Sequence, residues 1–351
     1  MSMKILYAVQ ATGNGHISRA MELMPFLKQY GEVDVFLSGS NSNLQPDLPV
    51  KFRSNGLSLF YGNTGGLDYW RMWKELDLRR IWKEAKDLPV EKYDLVINDF
   101  DSITSMACKL KKVKSIGFGH QASFQSEFTP RNDKKDFAGE MVLRHYATSS
   151  AYIGLHFASY DDFIYPPIIK EEILNADPTD QGHVTVYLSH YSDEVVINAL
   201  QKIKDVRFEV FSKKVKSETI IANVKLLPIS NTGFTQSMIR SKAVITGAGF
   251  ETPAEALYLG KQLLCLPIRG QYEQLCNAAA LKDFNVTIVD KISNNFTQQV
   301  HQWLQASSAK SLSLTHSTYE IVQQAIELGR SIQPTRKEES LLNEEDLLAL
   351  F

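Results

Sequence analysis

Two short turns in the sequence combine glycines with side chains that can bind or react with a small molecule. Gly13-Asn14-Gly15-His16 ends in an imidazole, which titrates near neutral pH and can take up a proton during a reaction. Gly247-Ala248-Gly249-Phe250 offers backbone amides with little side-chain obstruction, and such amides bind phosphate oxygens. The first turn is not the dinucleotide-binding fingerprint, since serine replaces the third glycine, and it is not a P-loop.

A helix predicted behind the second turn favours an anion site there. Thr252 is a good N-cap, Pro253 suits the first helical position, and Glu255 completes a capping box with Thr252. Free amides and the positive end of the helix dipole then face the turn. The same pattern is also typical of an ordinary strand-to-helix turn, so the residues alone leave both interpretations open.

Polar side chains follow two predicted strands of the N-terminal half. Asp99 comes after Leu95-Val96-Ile97-Asn98 and can hold the tautomer of a nearby imidazole. With Asp101 it also forms an Asp-x-Asp pair of the kind that binds metal, although Asp101 can equally cap the following helix. His120 ends the next strand, where it either contacts a ligand or makes a structural hydrogen bond.

These residues need a frame, and apolar runs that alternate with amphipathic segments supply it. In the N-terminal half the pattern predicts a helix from Ile17 to Tyr30, kinked at Pro25, and strands at residues 4–9, 33–37, 95–98 and 115–118. In the C-terminal half it predicts strands at residues 184–188, 206–211, 224–227, 243–246, 263–266 and 286–289. We therefore predict an α/β protein with two doubly wound, Rossmann-like domains facing a cleft, with ligands at the carboxyl ends of the strands.

The length of 351 residues also favours two domains. We predict an N-terminal domain over residues 1–165, a turn-rich linker over 166–182, a C-terminal domain over 183–332 and a charged tail over 333–351. The formal net charge of -2 gives no reason to expect nucleic acid as a partner. The cysteines lack zinc-ligand spacing, and we find neither a signal-peptide pattern nor a membrane-spanning apolar run, so we expect a cytoplasmic protein.

The segment around the second turn resembles the donor-binding signature of the nucleotide-sugar glycosyltransferases. These include the small-molecule glucosyltransferases of plants and bacteria and the N-acetylglucosaminyltransferase of peptidoglycan synthesis. The spacing from Gly249 to Glu255 matches their glycine-to-ribose-glutamate spacing, and that from Gln274 to Asn277 matches their sugar-contacting Gln and the following Asn. The matching positions are Gly247 to Leu257, Leu259-Gly260-Lys261, Pro267, Gly270 to Gln274 and Asn277-Ala278.

The resemblance implies a role for each part of this segment. Amides of residues 247–250 hold the diphosphate, Glu255 binds the ribose and Glu273-Gln274 contacts the sugar, although Glu273-Gln274 can also be read as an exposed polar stretch. The nucleobase of the donor is expected near residues 227–230. The implied donor-binding residues are Gly15, Ser189, Gly247, Ala248, Gly249, Phe250, Glu251, Thr252, Glu255, Glu273 and Gln274.

The first turn is similar to the Gly-x-Gly-His turn of the same glycosyltransferases. The resemblance makes His16 the general base and Asp99 its carboxylate partner, while an imidazole that only caps the first helix is the alternative. Over nearly its full length the chain resembles a bacterial and archaeal family of GT-B glycosyltransferases. That family implies an inverting, metal-independent transferase with an acceptor-binding N-terminal domain and a donor-binding C-terminal domain. It implies no cofactor besides the nucleotide-sugar co-substrate, with UDP the expected carrier.

The acceptor is not specified by any motif. Residues 67–85 are rich in tryptophan and basic residues, which fits a helix that rests on the inner face of a membrane and admits a lipid-linked acceptor. The alternative is a helix that buries its tryptophans on the sheet. Two other functions use the same donor cleft, namely a nucleotide-sugar 2-epimerase and a non-catalytic protein that senses sugar nucleotides.

Overall fold

The computed structural model describes residues 2–11, 13–39, 48–56 and 77–333, and within them it contains two seven-stranded sheets. The first sheet has the order β3-β2-β1-β4-β5-β6-β7 and is parallel throughout. Its strands are β1 (Met3–Gln10), β2 (Gly31–Ser38), β3 (Val50–Ser54), β4 (Leu95–Asp99), β5 (Ile116–Gly119), β6 (Ala151–Leu155) and β7 (Ile164–Tyr165).

The second sheet has the order β10-β11-β9-β8-β12-β13-β14, and its edge strand β10 runs antiparallel to β11. The other pairs are parallel. Its strands are β8 (His183–Tyr187), β9 (Arg207–Ser212), β10 (Thr219–Ile221), β11 (Val224–Pro228), β12 (Ala243–Thr246), β13 (Gln262–Cys265) and β14 (Thr287–Ile288).

Eleven α-helices cover the sheets in the described part of the chain, together with short 3₁₀ helices at Val90–Lys92, Gln121–Gln125 and Lys282–Phe284. The α-helices are α1 (Asn14–Leu27), α2 (Leu78–Asp87), α3 (Ser102–Leu110), α4 (Phe137–His145), α5 (Glu171–Leu174), α6 (Asp193–Leu200), α7 (Asn231–Arg240), α8 (Glu251–Tyr258), α9 (Tyr272–Leu281), α10 (Phe296–Gln305) and α11 (Thr318–Ile332).

The predicted fold class, two doubly wound α/β units, is confirmed. Strands β1 and β4 are apolar and almost wholly buried because helices cover both faces of the sheet. Helix α1 buries Ile17, Ala20 and Met24, as its pattern predicts, but it begins at Asn14 and continues through Pro25 to Leu27. Ends of elements are the least certain part of such predictions.

Four strands were not predicted, and three of them lack a clear apolar run. Strand β3 alternates only between half-buried and exposed residues, β7 has two residues, and β10 is an exposed edge strand. Strand β6 begins with two half-buried residues. Because periodicity is the main signal for a strand, short or half-exposed strands give little of it.

One large apolar cluster contains residues of both sheets. The linker contributes Ile168, Ile169 and Ile173, all of them buried in the same cluster as residues of both sheets. Helix α11 follows the second sheet in the chain but packs against α1, β4, β5 and β6 of the first. The predicted domain boundaries stay a prediction. The last helix lies in the predicted C-terminal domain by chain order, but it contacts the N-terminal sheet.

Part of the predicted basic, tryptophan-rich segment lies outside the described residues, including Trp70 and Trp73, and so does the tail after residue 333. In α2, Ile81 and Ala85 are buried while Trp82 is exposed. In the described ranges, no helix has both the length and the apolar character needed to cross a membrane.

The backbones of β1 and β2 approach each other closely at Gly31. A Cβ there would lie 2.7 Å from the carbonyl carbon of Met3 and would also clash with its oxygen, so the backbone must shift. We expect Gly31→Ala to lower the free energy of unfolding by about 1–3 kcal/mol in urea denaturation. Gly13→Ala is the matched control, since nothing lies within 4 Å of its added Cβ. Equal stabilities of the two variants would contradict the tight junction.

Candidate active site

A cleft of about 760 Å³, open to solvent, lies between the carboxyl ends of the two sheets. Helix α1 contributes Asn14, Gly15 and Ser18, and the linker contributes Lys170. The C-terminal half supplies the remaining wall, which consists of Tyr187, Ile229, Ser230, Asn231, Phe234, Glu251, Thr252 and Glu255. Of the predicted donor residues, Gly15, Glu251, Thr252 and Glu255 line this cleft.

Beside the cleft, the first turn of α1 brings His16 against Asp99 at the end of β4. Nδ1 of His16 lies 2.7 Å from Oδ1 of Asp99. The Asp99 side chain is fully buried, whereas the His16 side chain keeps 12% of its surface exposed. The strand pairing that sets Val9 level with Asp99 places both residues at the same edge of the sheet.

Phe100 and Asp101, the two residues after Asp99, differ in their structural roles. Phe100 has a φ of 58°, a left-handed conformation that is strained for an aromatic residue. Beyond it, Asp101 accepts a hydrogen bond of 2.6 Å from the amide of Thr104 and caps α3, as predicted. The helix-cap alternative for Asp101 therefore fits the geometry. No cluster of three or more metal-ligating side chains occurs in the described ranges.

The charge state of Asp99 fixes where the proton of His16 lies. Burial alone would raise the pKa of Asp99, but the charges of Arg19 and His16 and their hydrogen bonds outweigh it and lower this pKa to about 2. Asp99 is then a carboxylate without a proton, so Nδ1 of His16 must be the donor. In the neutral form of the imidazole, the lone pair is then on Nε2.

Arg19, which the sequence analysis did not single out, grips the same carboxylate. Its Nε donates to Oδ2 of Asp99 at 3.0 Å, and one terminal nitrogen donates to Oδ1 at 2.9 Å. The other terminal nitrogen donates to Glu251, on the opposite side of the cleft. The terminal nitrogen that bonds to Asp99 also lies 3.0 Å from Nδ1 of His16. This is a contact between two donors, because Nδ1 already carries a hydrogen. The only sequence signal is its position three residues after His16 in the same helix.

Helix α8 begins earlier than the sequence predicts. Its first residue is Glu251, Phe250 is at the N-cap position, and no side chain caps it. The predicted capping box between Thr252 and Glu255 is therefore wrong, because both residues lie within the helix and Glu255 pairs elsewhere. Pro253, as the third helical residue, still needs no hydrogen-bond partner for its nitrogen. The uncapped first turn leaves its backbone amides available to an anion.

Glu255 is a buried carboxylate that faces the cleft. Nζ of Lys170 lies 3.1 Å from one of its oxygens and 3.4 Å from the other. Burial raises the pKa of Glu255, and Lys170 opposes that rise. Lys170 was also missed by the sequence analysis, because a lysine in a linker carries no pattern of its own.

The other predicted donor residues do not line this cleft, although residues 247–250 directly precede Glu251 in its wall. Ser189 is exposed after β8, whereas Ile229 and Ser230, from the segment predicted to contact the base, do line the cleft. Gly249 has open space around it, with nothing within 4 Å of an added Cβ. Gly247 is next to Gln274, whose side-chain oxygen would lie 3.5 Å from a Cβ there.

Glu273 and His120 lie at a second contact between the halves, and Gln274 follows Glu273 in the chain. Gln274 is buried and accepts a hydrogen bond of 2.9 Å from the amide of Ile268, so it is not part of an exposed polar stretch. Glu273 accepts from the side chain of Gln121, in the N-terminal half, at 3.1 Å.

His120 occupies a structural position between the halves. Its Nδ1 lies 3.0 Å from the carbonyl oxygen of Leu155, and its Nε2 lies 2.8 Å from Oδ1 of Asn277. Its ring stacks on Phe250 with centroids 4.0 Å apart. Burial lowers the pKa of His120. The structural alternative for this residue therefore fits the geometry, since both ring nitrogens contact protein groups.

Comparison with known proteins places this geometry in a family. Residues 3–306 match the glycosyl transferase family 1. Comparison with curated protein sequences gives no match. Solved structures with the same fold include the spinosyn forosaminyltransferase SpnP, with a TM-score of 0.59 and 14% identity over 94% of this chain and 100% of that one.

Two further solved structures have a similar fold. The UGT2 of Phytolacca americana, complexed with UDP-2-fluoro-glucose and pterostilbene, has a TM-score of 0.57 and 14% identity over 100% of both chains. The MurG of Acinetobacter baumannii has a TM-score of 0.55 and 14% identity over 93% of this chain and 99% of that one.

The fold and the family match define the class of the protein, a glycosyltransferase of the GT-B type. The chain belongs to glycosyl transferase family 1, and it transfers a sugar from a nucleotide-sugar donor. This confirms the resemblance and the enzyme class predicted from the sequence.

The Lys170–Glu255 pair yields a test by stability. We expect Lys170→Met to lower the free energy of unfolding by about 3–5 kcal/mol at pH 8, because it leaves a buried carboxylate unpaired. A carboxylate whose pKa is raised in the folded state favours folding at low pH and opposes it as the pH rises, so the loss should shrink at pH 5. Urea denaturation at the two pH values measures this difference.

Two further variants complete that test. Lys170→Met/Glu255→Gln should recover most of the lost stability, since no buried charge remains. Lys225→Met is the control, because Lys225 forms an exposed pair with Glu218 and should change stability by less than about 1 kcal/mol. Equal losses for both lysine variants at pH 8 would show that Glu255 does not depend on Lys170.

Proposed function

We propose that the enzyme transfers a sugar, with inversion, from a UDP-sugar to a hydroxyl group of an acceptor. The observation that carries the proposal is the His16–Asp99 pair, in which Nδ1 donates to a buried carboxylate and Nε2 keeps its lone pair. This pair lies beside the cleft whose other wall is the uncapped N-terminus of α8. A base and an anion site on opposite sides of one cleft are what a displacement at an anomeric carbon needs.

In the proposed reaction, Nε2 of His16 takes the proton from the acceptor hydroxyl as its oxygen attacks the anomeric carbon. The bond between that carbon and the diphosphate oxygen breaks, and the configuration at the carbon inverts. The imidazolium formed on His16 is stabilised by Asp99, which stays ionised.

The leaving diphosphate is placed at the first turn of α8 and the amides of residues 247–250. Free amides and the helix dipole stabilise the charge that develops on the leaving group. Gly249 supports this placement, because the open space around it lets a phosphate approach the backbone closely. Gly15 faces the same region from the other side of the cleft.

The nucleoside is placed deeper in the cleft. A carboxylate oxygen of Glu255 can accept from the ribose hydroxyls while Lys170 holds the side chain in position. Tyr187 and Ile229 offer apolar surface for the base. The choice of uridine is supported by the related fold of the Phytolacca americana enzyme, whose structure contains a UDP-sugar analogue.

On the acceptor side, the proposal is limited to a hydroxyl-bearing molecule bound by the N-terminal half. A lipid-linked acceptor and a position at the inner face of a membrane stay predictions, because Trp70 and Trp73 lie outside the described residues. The exposed Trp82 of α2 is compatible with them.

Removal of the general base should slow sugar transfer strongly without weakening the binding of the donor. We expect His16→Ala and Asp99→Asn to lower kcat by about 10²–10⁴-fold, with the Kd for UDP unchanged within a factor of two to three. Consumption of UDP-sugar measures the rate, calorimetry measures the Kd, and NMR of the product gives the anomeric configuration. His301→Ala, a partly exposed histidine of α10, is the control. Full activity of His16→Ala, or retention of configuration, would refute the proposed mechanism.

The donor site has its own test, which needs no acceptor. UDP should stabilise the wild-type protein against heat, by about 2.7 kcal/mol at a hundredfold excess over Kd. We expect Glu255→Gln to raise the Kd for UDP about tenfold, since it removes an acceptor for the ribose hydroxyls. Glu171→Gln, an exposed residue of the linker, should leave the Kd unchanged. Equal affinity of wild type and Glu255→Gln would remove Glu255 from the donor site.

A further inference from the structure

A buried arginine connects the two walls of the cleft. The Arg19 side chain has only 2% of its surface exposed, and its three nitrogens are all engaged. Two of them hold both oxygens of Asp99, in the N-terminal half, and the third donates to Glu251, the first residue of α8 in the C-terminal half. The chain thus contains one continuous polar path from the imidazole of His16 to the helix that faces the donor.

We propose that Arg19 is a positioning residue, which orients the His16–Asp99 pair and neutralises Glu251 at the entrance of the donor site. This inference rests on the proposed function, since it concerns the same base and the same donor. Arg19 acts on the base His16 through Asp99 and on the donor through Glu251. The carboxylate of Glu251 thereby also has a role.

Several features show that the surrounding chain makes room for this network. Gly119 has a φ of +115°, and a Cβ there would lie 2.9 Å from Oδ1 of Asp99 and 3.1 Å from a terminal nitrogen of Arg19. A Cβ on Gly15 would lie 2.6 Å from the carboxyl carbon of Glu251. Each end of the network therefore has a glycine where another residue would collide with it.

The chemistry of guanidinium explains why this position needs arginine. A planar fork holds a carboxylate with two parallel hydrogen bonds and still has a third nitrogen free to bond. The ammonium of lysine is a point charge that cannot hold both oxygens of Asp99 in one orientation. Fixing Asp99 also fixes the ring of His16, because the Nδ1 hydrogen bond to Asp99 orients the imidazole.

The charges of the network favour the direction of proton transfer. As long as the imidazole carries no charge, the two carboxylates and one guanidinium give the network one negative charge in excess. When His16 takes up the acceptor proton, the network becomes neutral. The excess charge thus stabilises the protonated base, and Arg19 spreads it across the cleft.

Glu251 would repel a donor if it were not paired. Its carboxylate lies at the N-terminus of α8, where we place the diphosphate, and two anions at one site repel each other. The ion pair with Arg19 compensates this charge. Loss of Arg19 should therefore affect two separate quantities, namely the rate through Asp99 and the donor affinity through Glu251.

Three variants separate these two effects. We expect Arg19→Met to lower kcat about 100-fold and to raise the donor KM about tenfold. Arg19→Met/Glu251→Gln should restore the donor KM, because the unpaired charge is gone, but kcat should stay low. Arg19→Lys should keep the donor KM near that of the wild type and recover only part of kcat. Arg330→Met, an exposed arginine of α11, is the control.

The pH profile distinguishes positioning from a merely structural role. The charged and titratable groups around Asp99 are Tyr7 from β1, His16 and Arg19 from α1, and Glu251 beyond Arg19. The acidic limb of a general-base reaction reports protonation of the base together with its carboxylate. Loss of the guanidinium charge favours protonation of the His16–Asp99 pair, and burial raises the pKa of Asp99 once Arg19 no longer opposes it. The acidic limb of kcat/KM in Arg19→Met should move to higher pH. A fall in rate without such a shift would overturn the inference.

The outcomes also separate this inference from the proposed function. If His16→Ala loses transfer but Arg19→Met keeps the wild-type kcat and donor KM, the role of Arg19 is refuted while the mechanism stands. If His16→Ala is fully active, the mechanism fails whatever Arg19→Met does. Circular dichroism checks folding, and if Arg19→Met is unfolded, the kcat and pH profile of Arg19→Lys decide the question. Wild-type values in that variant would refute the inference.

Discussion

The site depends on one ionised carboxylate that is wholly removed from water. A buried charge of this kind is stable only when it is paired and its oxygens accept hydrogen bonds. Asp99 meets that condition through Arg19 and His16, with a longer contact of 3.4 Å from the hydroxyl of Tyr7. The tautomer of His16 and the glycine at position 119 follow from this arrangement.

Helix α8 connects that carboxylate to the donor side. Glu251 and Glu255 are four residues apart and therefore lie on the same face of the helix. Each is neutralised by a basic side chain from outside the C-terminal sheet. Glu251 pairs with Arg19 from α1, and Glu255 pairs with Lys170 from the linker. A third contact, between His120 and Asn277, joins the halves farther along the interface. The geometry of the proposed donor site is thus shared by both halves of the chain.

The sequence predicted those parts of the protein that local patterns determine. Alternating apolar runs predicted the two α/β units, and the resemblance of two glycine turns pointed to His16 and Asp99. The capping box was wrong because local preference favours Thr252 as a cap, whereas Glu255 is held by Lys170, which is 85 residues distant. Arg19 was missed for a similar reason, since its partners lie 80 and 232 residues away in the chain.

The pairing of charges also explains how a cleft with two carboxylates could accept the anionic donor that we propose. Glu251 and Glu255 would oppose a diphosphate, but Arg19 and Lys170 leave the cleft wall with little net charge. Attraction for the donor then depends on oriented backbone amides rather than on a basic surface, and amides select by geometry as well as by charge. Because a buried charge without its partner is costly, Asp99 depends on Arg19 and Glu255 depends on Lys170. The donor site and the base are therefore constrained together, since Arg19 belongs to both.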